Sequence, residues 1–133
     1  MRLTTRSEYA LLALAFLARQ TPDTYVPVET IAEHQGIPPK FLEQILLTLK
    51  RSQVLISQKG QHGGYRLAKK PELITLAEVV RLLDGPLAPS ESVSKYFYRA
   101  TPIQKEEKLV TVLAEIRDRI LEIMEKTTVA DIC

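Results

Sequence analysis

VETIAEHQGIPPKFLEQILLTLKRSQVLISQKGQHGGYRL, residues 28–67, is the stretch of sequence that decides the fold. Apolar residues recur at helical spacing through residues 28–35, and Gly36 stands where a helix favours a left-handed residue just past its end. Pro39 suits the first position of a second helix, because its missing N–H would be unpaired there in any case. The stretch therefore predicts two helices joined by a tight turn, the second over residues 39–52.

The second of these helices has two different faces. Its apolar face is formed by Leu42, Ile45, Leu46 and Leu49. Its other sides carry the polar residues Lys40, Glu43, Gln44, Lys50 and Arg51. In a helix-turn-helix the second helix lies in the major groove of DNA, where such side chains would meet bases and phosphates. An ordinary helical hairpin explains the same pattern equally well.

The residues after this helix favour the DNA-binding interpretation. Val54–Gln58 is rich in strand-forming residues, a glycine-rich turn spans Lys59–Gly64, and Tyr65–Leu67 returns as a second strand. A hairpin attached directly to a helix-turn-helix is a wing, which places basic side chains against the duplex, often in the minor groove. The candidate contacts in this wing are Lys59, His62 and Arg66.

Two capping boxes mark helices on either side of this stretch. In each, a threonine is followed three residues later by a glutamate: Thr5 with Glu8, and Thr75 with Glu78. They predict a first helix over residues 6–19 and a fourth over residues 76–83. Residues 1–85 are thus expected to form a winged helix-turn-helix domain, mainly α-helical with a small β-hairpin.

A long helix is expected after a loop. Residues 86–100 show no clear period, while Thr101, Pro102 and Gln104 form a further capping-box pattern, which opens a helix that reaches Lys126. Apolar residues repeat along it in steps of four and three: Leu109, Leu113, Ile116, Ile120 and Ile123. Because this spacing is typical of a coiled-coil seam, residues 101–133 are predicted to be a dimerisation helix and C-terminal segment. Burial of the seam against its own domain is the alternative.

The charge is unevenly distributed along the chain. The net charge of all 133 residues is +2, yet residues 40–70 hold seven basic residues against one acid, a net charge of +6, which leaves −4 for the remainder. A local basic stretch in a near-neutral protein is expected of a face that meets phosphates. A solvated charged surface produces the same pattern.

The composition fits one domain of the cytoplasm. With 45% hydrophobic residues the chain can bury a core. Its longest apolar run, Tyr9–Ala18, is well short of the roughly 20 residues that cross a bilayer, and Glu8 interrupts a signal-peptide pattern. The single cysteine, Cys133, can form no internal disulfide, which agrees with a reducing compartment. His34 and His62 lie far apart in the sequence and predict no zinc site.

Several short motifs together resemble one family of bacterial transcriptional regulators. They are Met1-Arg2-Leu3-Thr4, Tyr9-Ala10, Ile31–Ile37, Phe41–Leu46, Gly63–Leu67 and Thr127–Asp131. In combination they resemble the Rrf-two (Rrf2) family, and the resemblance spans nearly the whole chain. It implies a homodimeric repressor whose two recognition helices enter successive major grooves of a palindromic operator.

The resemblance also implies roles for individual residues. Glu43 matches a base-reading position, whose carboxylate can accept a hydrogen bond from cytosine N4. Pro38 and Lys40 lie beside it, where members of the family often carry serines. Lys59 matches a wing position where an arginine is common. The matches to phosphate contacts are Arg6, Lys50 and Arg51.

The chain departs from the family in the loop before the long helix. Metal-sensing members place three cysteines there as ligands of an iron–sulfur cluster. This chain carries hydroxyl groups instead, which cannot replace soft thiolates, at Ser90, Ser92, Tyr96 and Tyr98. Some relatives also take an acidic ligand from the first helix, and Glu8 lies at a comparable place, but the capping box gives it a structural role. A regulator without a cluster or other cofactor is therefore expected.

Two other classes of function stay open. The aromatic residues within loop 90–100 could dock a partner metabolic enzyme, which would make the chain a regulatory interaction module. A small-molecule effector is a further conceivable partner. An enzyme is the least favoured class, because the sequence contains no phosphate-cradling loop, no paired acid and base at helical spacing, and no nucleophile motif.

Overall fold

The computed structural model describes all 133 residues. Six α-helices and one two-stranded antiparallel sheet follow each other along the chain. They are α1 (Thr5–Ala18), α2 (Val28–Gln35), α3 (Pro39–Arg51), β1 (Leu55–Gln58), β2 (Gly64–Leu67), α4 (Leu76–Asp84), α5 (Glu107–Lys126) and α6 (Val129–Ile132). Short 3₁₀ turns lie at Pro71–Leu73, Glu91–Val93 and Pro102–Lys105. No helix is both long enough and apolar enough to span a bilayer.

Helix α1 is capped by Thr4, so the predicted capping box of Thr5 with Glu8 is wrong. The hydroxyl of Thr4 accepts a hydrogen bond from the Ser7 backbone N–H at 3.3 Å. The backbone N–H of Thr4 donates to the carboxylate of Asp84 at 3.1 Å, and its hydroxyl donates to the other oxygen of the same carboxylate. The acid that completes this cap therefore comes from the end of α4, and Glu8 is left exposed.

The core lies around α1, which packs on α2, α3, α4 and α6. Apolar residues at helical spacing on α1, α2 and α3 meet there, and the largest side chains that are fully buried are Leu14, Ile31, Leu42, Ile45, Leu46 and Leu49. The turn between α2 and α3 is closed by Gly36 at φ 65°, as expected of a left-handed C-terminal residue. This packing fixes α3 with its apolar face inward and its polar face outward.

The wing is tied to the helical core by a third, one-residue strand. Strands β1 and β2 pair with Leu55 opposite Leu67 and Ser57 opposite Tyr65. Val26 pairs with the outer edge of β2, and the backbone N–H of each of Val26 and Tyr65 donates to the other's carbonyl at 2.8 Å. Gly64 lies at φ 148°, and a Cβ atom there would stand 2.2 Å from the Val26 carbonyl oxygen. Only glycine lets the two chains approach so closely.

Helix α4 confirms its predicted threonine cap but not the full capping box. The Thr75 hydroxyl accepts from the Glu78 backbone N–H at 3.1 Å. The Glu78 carboxylate accepts instead from Lys69 at 2.8 Å, because that lysine follows the wing and lies within its reach.

The long helix begins later than predicted. Thr101 makes no side-chain cap, and residues Pro102–Lys105 form a separate 3₁₀ turn. Glu106 has an extended backbone, which separates this turn from α5, and α5 starts at Glu107. The side-chain amide of Gln104 donates to the Tyr98 hydroxyl in the preceding loop instead of contributing to a capping box.

The C-terminal segment holds α5 against the helical core. Leu121 of α5 is buried against Ala77 and Val80 of α4. After α5 the chain doubles back, and the Leu76 N–H donates to the Thr127 carbonyl at 2.9 Å while the Val129 N–H donates to the Ile74 carbonyl at 2.8 Å. We call these two hydrogen bonds, with the bridge they form between Thr75 and Thr128, the C-terminal clasp.

Candidate nucleic-acid interface

Helix α3 exposes a continuous polar face. The side chains of Lys40, Glu43 and Gln44 are exposed, and none of them is hydrogen bonded to another part of the protein. The hydroxyl of Thr48 donates a hydrogen bond to the Gln44 carbonyl at 3.0 Å, so its partner lies within α3 itself. This leaves the first two turns of α3 free to meet an external partner.

Leu47 lies on the same exposed face and was missed by sequence reasoning. It is 37% exposed, while the leucines and isoleucine of the inner face of α3 are 0% exposed. The signal that could have found it is its position, four residues after Glu43 and three after Gln44, which at helical spacing places it with them.

The wing stands next to α3. Burial, reinforced by the negative charge of Glu43, raises the pKa of Tyr65 in β2 above its ordinary value. The wing tip carries Lys59 and His62, both exposed and both without an ion-pair partner. Glu43 on the exposed side of α3 therefore lies near β2, the strand that follows the wing tip.

Arg66 differs from Lys59 and His62 because it has partners within the protein. Its guanidinium pairs with the Asp23 carboxylate at 3.0 Å and lies over the Tyr25 ring, 5.0 Å from the ring centre. Both partners come from the connection between α1 and α2, which local sequence could not place beside β2. The charge of Arg66 is already engaged within the protein.

The remaining predicted DNA contacts are also exposed. Pro38 precedes α3, and Lys50 and Arg51 end it. Arg6 lies in the first turn of α1, near the cap formed by Thr4 and Asp84. Burial alone would raise the pKa of Asp84, but the hydrogen bonds from Thr4, with smaller contributions from Ser7 and Arg6, outweigh it and hold the pKa below its ordinary value.

One side of α5 is covered by its own domain and another is bare. Leu121 is buried, and Leu113 and Ile120 are half-buried at the edge of the covered side. The bare side carries four apolar residues at helical spacing: Leu109, Val112, Ile116 and Ile123. Three of the five predicted seam residues therefore lie uncovered, and Ile123 is 65% exposed.

The chain offers no set of donors for a metal centre. No three His, Cys, Asp or Glu side chains are grouped closely enough to hold an ion. The one cysteine, Cys133, lies exposed at the last position, far along the chain from the loop of residues 86–100. Ser92 and Ser94 of that loop are buried, and the thiolates that an iron–sulfur cluster requires are absent from it.

Comparison with known proteins identifies the family. Residues 3–133 match the Rrf2 family model, described as "Iron-dependent Transcriptional regulator". The chain is 36% identical to a protein classed with the HTH-type transcriptional regulators of Mycobacterium tuberculosis, over 99% of this chain and 81% of that protein. It is 27% identical to the HTH-type transcriptional regulator CymR of Bacillus subtilis, over 99% of this chain and 89% of CymR.

Solved structures agree with this assignment. The structure of CymR, the global cysteine regulator of B. subtilis, superposes with a TM-score of 0.79 at 26% identity and covers 98% of this chain and 95% of that one. T. potens IscR superposes with a TM-score of 0.75 at 26% identity, over 98% of this chain and 85% of that one. The chain is thus a winged helix-turn-helix protein and belongs to the Rrf2 family of DNA-binding transcriptional regulators.

Proposed function

We propose that this chain is a homodimeric repressor that binds a palindromic operator through α3 and the wing, and that it does so without an iron–sulfur cluster. The observation that carries the proposal is the unpaired polar face of α3 in a domain whose wing tip exposes Lys59 and His62. Polar side chains that have no partner within a protein are available to donate to and accept from base edges.

Separate residues supply specificity and affinity in this proposal. Glu43 accepts from cytosine N4, and Gln44 can bind adenine through two hydrogen bonds in the major groove. Lys40 and Pro38 lie at the start of α3, beside the bases. The phosphate contacts, which add affinity on any sequence, are Arg6, Lys50, Arg51, Lys59 and His62. Arg66 is left out, because its charge is paired with Asp23.

The bare side of α5 is the proposed dimer interface. Four exposed aliphatic side chains in one row would be costly to leave in water, and each Leu or Ile that is fully buried contributes about 1.5 to 3 kcal/mol. A second copy of α5 presents the same row, so a two-fold interface is self-complementary. A palindromic operator requires that this dimer present its two copies of α3 on one side of the assembly.

The side chains of the loop before α5 support regulation without an iron–sulfur cluster. A loop of serines and tyrosines offers only hard oxygen donors, and the only thiol of the chain is at Cys133. The test is to purify the protein without oxygen, measure its iron and sulfide, and compare operator binding before and after chelation. Stoichiometric iron and sulfide, or loss of binding on chelation, would contradict this part of the proposal.

Selection of bound DNA from a random library tests the main proposal. We expect an enriched palindrome whose half-sites are about one helical turn apart. Glu43→Ala should relax the preference at one base pair of each half-site by about 1 to 3 kcal/mol. Glu33→Ala, at an exposed acid of α2 outside the proposed contacts, is the control and should leave the selected sequence unchanged. Absence of any enriched sequence would refute the proposal.

A second candidate is docking of a partner protein on the loop before α5. Tyr96, Phe97 and Tyr98 are adjacent and exposed, which is unusual for three aromatic residues in a row. If this loop is a docking site, Tyr96→Ser with Tyr98→Ser should abolish co-purification of a partner enzyme and leave operator binding intact. Equal co-purification by both proteins would exclude this candidate.

A further inference from the structure

Leu47 is the only leucine or isoleucine of α3 that the core does not cover. Its neighbours on the exposed face, Glu43, Gln44 and Arg51, are all polar or charged, so it forms a single aliphatic point within a polar surface. No other element of the chain supplies an apolar cover for it. If the residues around it contact bases, this aliphatic side chain would be buried favourably only against an apolar group of the DNA.

The major groove contains one such feature. Among the groups on base edges, hydrogen-bond donors and acceptors predominate, and the C5-methyl group of thymine is the apolar exception. We propose that Leu47 packs against the methyl group of a thymine and thereby makes this regulator select thymine at one position of each half-site. The inference rests on the proposed function, since it requires that α3 lie in the major groove.

The geometry of the helix gives the position of that thymine. Leu47 follows Glu43 by four residues, which is about 6 Å along the helix axis at a rise of 1.5 Å per residue. Successive bases of one strand are about 3.4 Å apart. The thymine is therefore expected about two base pairs from the cytosine that Glu43 reads.

The test removes the methyl group without altering any hydrogen bond. In the operator selected by the wild-type protein, each thymine of one half-site is replaced in turn by deoxyuridine, and dissociation constants are measured by fluorescence anisotropy. For the wild type, one replacement should weaken binding about fourfold, which corresponds to the roughly 0.8 kcal/mol for burial of one carbon group. The other replacements should have smaller effects.

The same duplexes are then measured with Leu47→Ala. Alanine is the best helix former and the side chain is exposed, so the variant should fold, which thermal unfolding checks. We expect it to bind the operator more weakly and to bind the thymine and deoxyuridine duplexes equally well at the critical position. Leu73→Ala, at an exposed leucine outside α3, is the matched control and should keep the fourfold discrimination.

Each outcome decides the inference. A wild-type protein that binds every deoxyuridine duplex as well as the operator, or a Leu47→Ala variant that retains the discrimination, overturns it while the proposed function stands. A protein that binds no duplex at all overturns the proposed function as well, and that result is recognised before any thymine is replaced.

Discussion

Replacement of Asp84 by asparagine should destabilise the protein at neutral pH and leave its stability almost unchanged in acid. Asp84 ends α4, and its carboxylate accepts both the N–H and the hydroxyl of Thr4, which caps α1. Asparagine keeps one acceptor oxygen at the same place but loses the charge. The variant therefore separates the charge of this contact from its geometry.

The size of the effect follows from the two hydrogen bonds. Hydrogen bonds to charged groups contribute about 1.5 to 3 kcal/mol and those between neutral groups about 0.5 to 1.5 kcal/mol. Because Thr4 is exposed and Asp84 only half-buried, the lower ends apply, and we expect a loss of about 1 kcal/mol. For a chain of this size such a loss lowers Tm by about 4 °C.

The pH dependence has a definite sign. The pKa of Asp84 is lower in the folded protein than its ordinary value. Its contribution to stability is therefore fully present above the unfolded pKa of about 4, and it is lost as the pH falls through the folded pKa. The difference between wild type and Asp84→Asn should be constant from about pH 7 to pH 5 and should shrink below pH 4.

Urea unfolding followed by circular dichroism, at one fixed protein concentration between pH 7 and pH 3, measures this difference. Glu33→Gln, which removes an exposed acid without an ion-pair partner, is the control and should show no such trend. A destabilisation by Asp84→Asn that is equal at pH 7 and pH 3 would refute the argument, because a charged cap cannot act when it is protonated.

Three further predictions concern the wing and the dimer. Lys59→Ala should weaken binding to all DNA sequences and reduce the slope of log affinity against log salt by about one, whereas Lys108→Ala on α5 should not. Ile116→Asp should yield monomers in sedimentation equilibrium, since it buries a charge in the proposed interface, and Glu115→Ala should not. Gly64→Ala should cost about 3 kcal/mol or more in urea unfolding, because it adds a clash with Val26 to backbone strain, and Gly60→Ala, at positive φ but in open space, should cost less.

The parts of the fold that the sequence predicts well are those with local signals. Gly36 and Pro39, only three residues apart, mark the turn between α2 and α3. The structure ends α2 and begins α3 within one residue of the prediction. The wing is predicted for the same reason, because its strands and its glycine-rich turn are consecutive. Local propensity and tertiary packing agree throughout this segment.

The features that the sequence does not indicate depend on partners distant in sequence. Thr4 rather than Thr5 caps α1 because Asp84, 80 residues away, supplies the carboxylate. Arg66 pairs with Asp23, 43 residues earlier in the chain. No periodicity or spacing within either segment indicates such a partner, since both depend on how the helices pack.

In the candidate interface, too, some residues are predicted by a local pattern and others are not. Exposure of Lys40, Glu43 and Gln44 follows from the amphipathic pattern of α3. Exposure of Leu47 follows less directly, because a leucine is by default assigned to the core and only its spacing from Glu43 and Gln44 indicates the exposed side. The packed structure shows that the opposite side of the helix is already filled.

The C-terminal clasp has a consequence for the choice of operator. Helix α5 is attached to the winged helix-turn-helix at two places, through the burial of Leu121 and through the hydrogen bond between Val129 and Ile74. In a dimer built on α5, the two winged helix-turn-helix units would therefore have no hinge between them. Insertion of one base pair between half-sites moves one of them by about 3.4 Å and turns it by about 35° around the duplex axis. A rigid dimer could not follow that movement, and it would therefore discriminate between operators by the spacing of their half-sites as well as by their sequence.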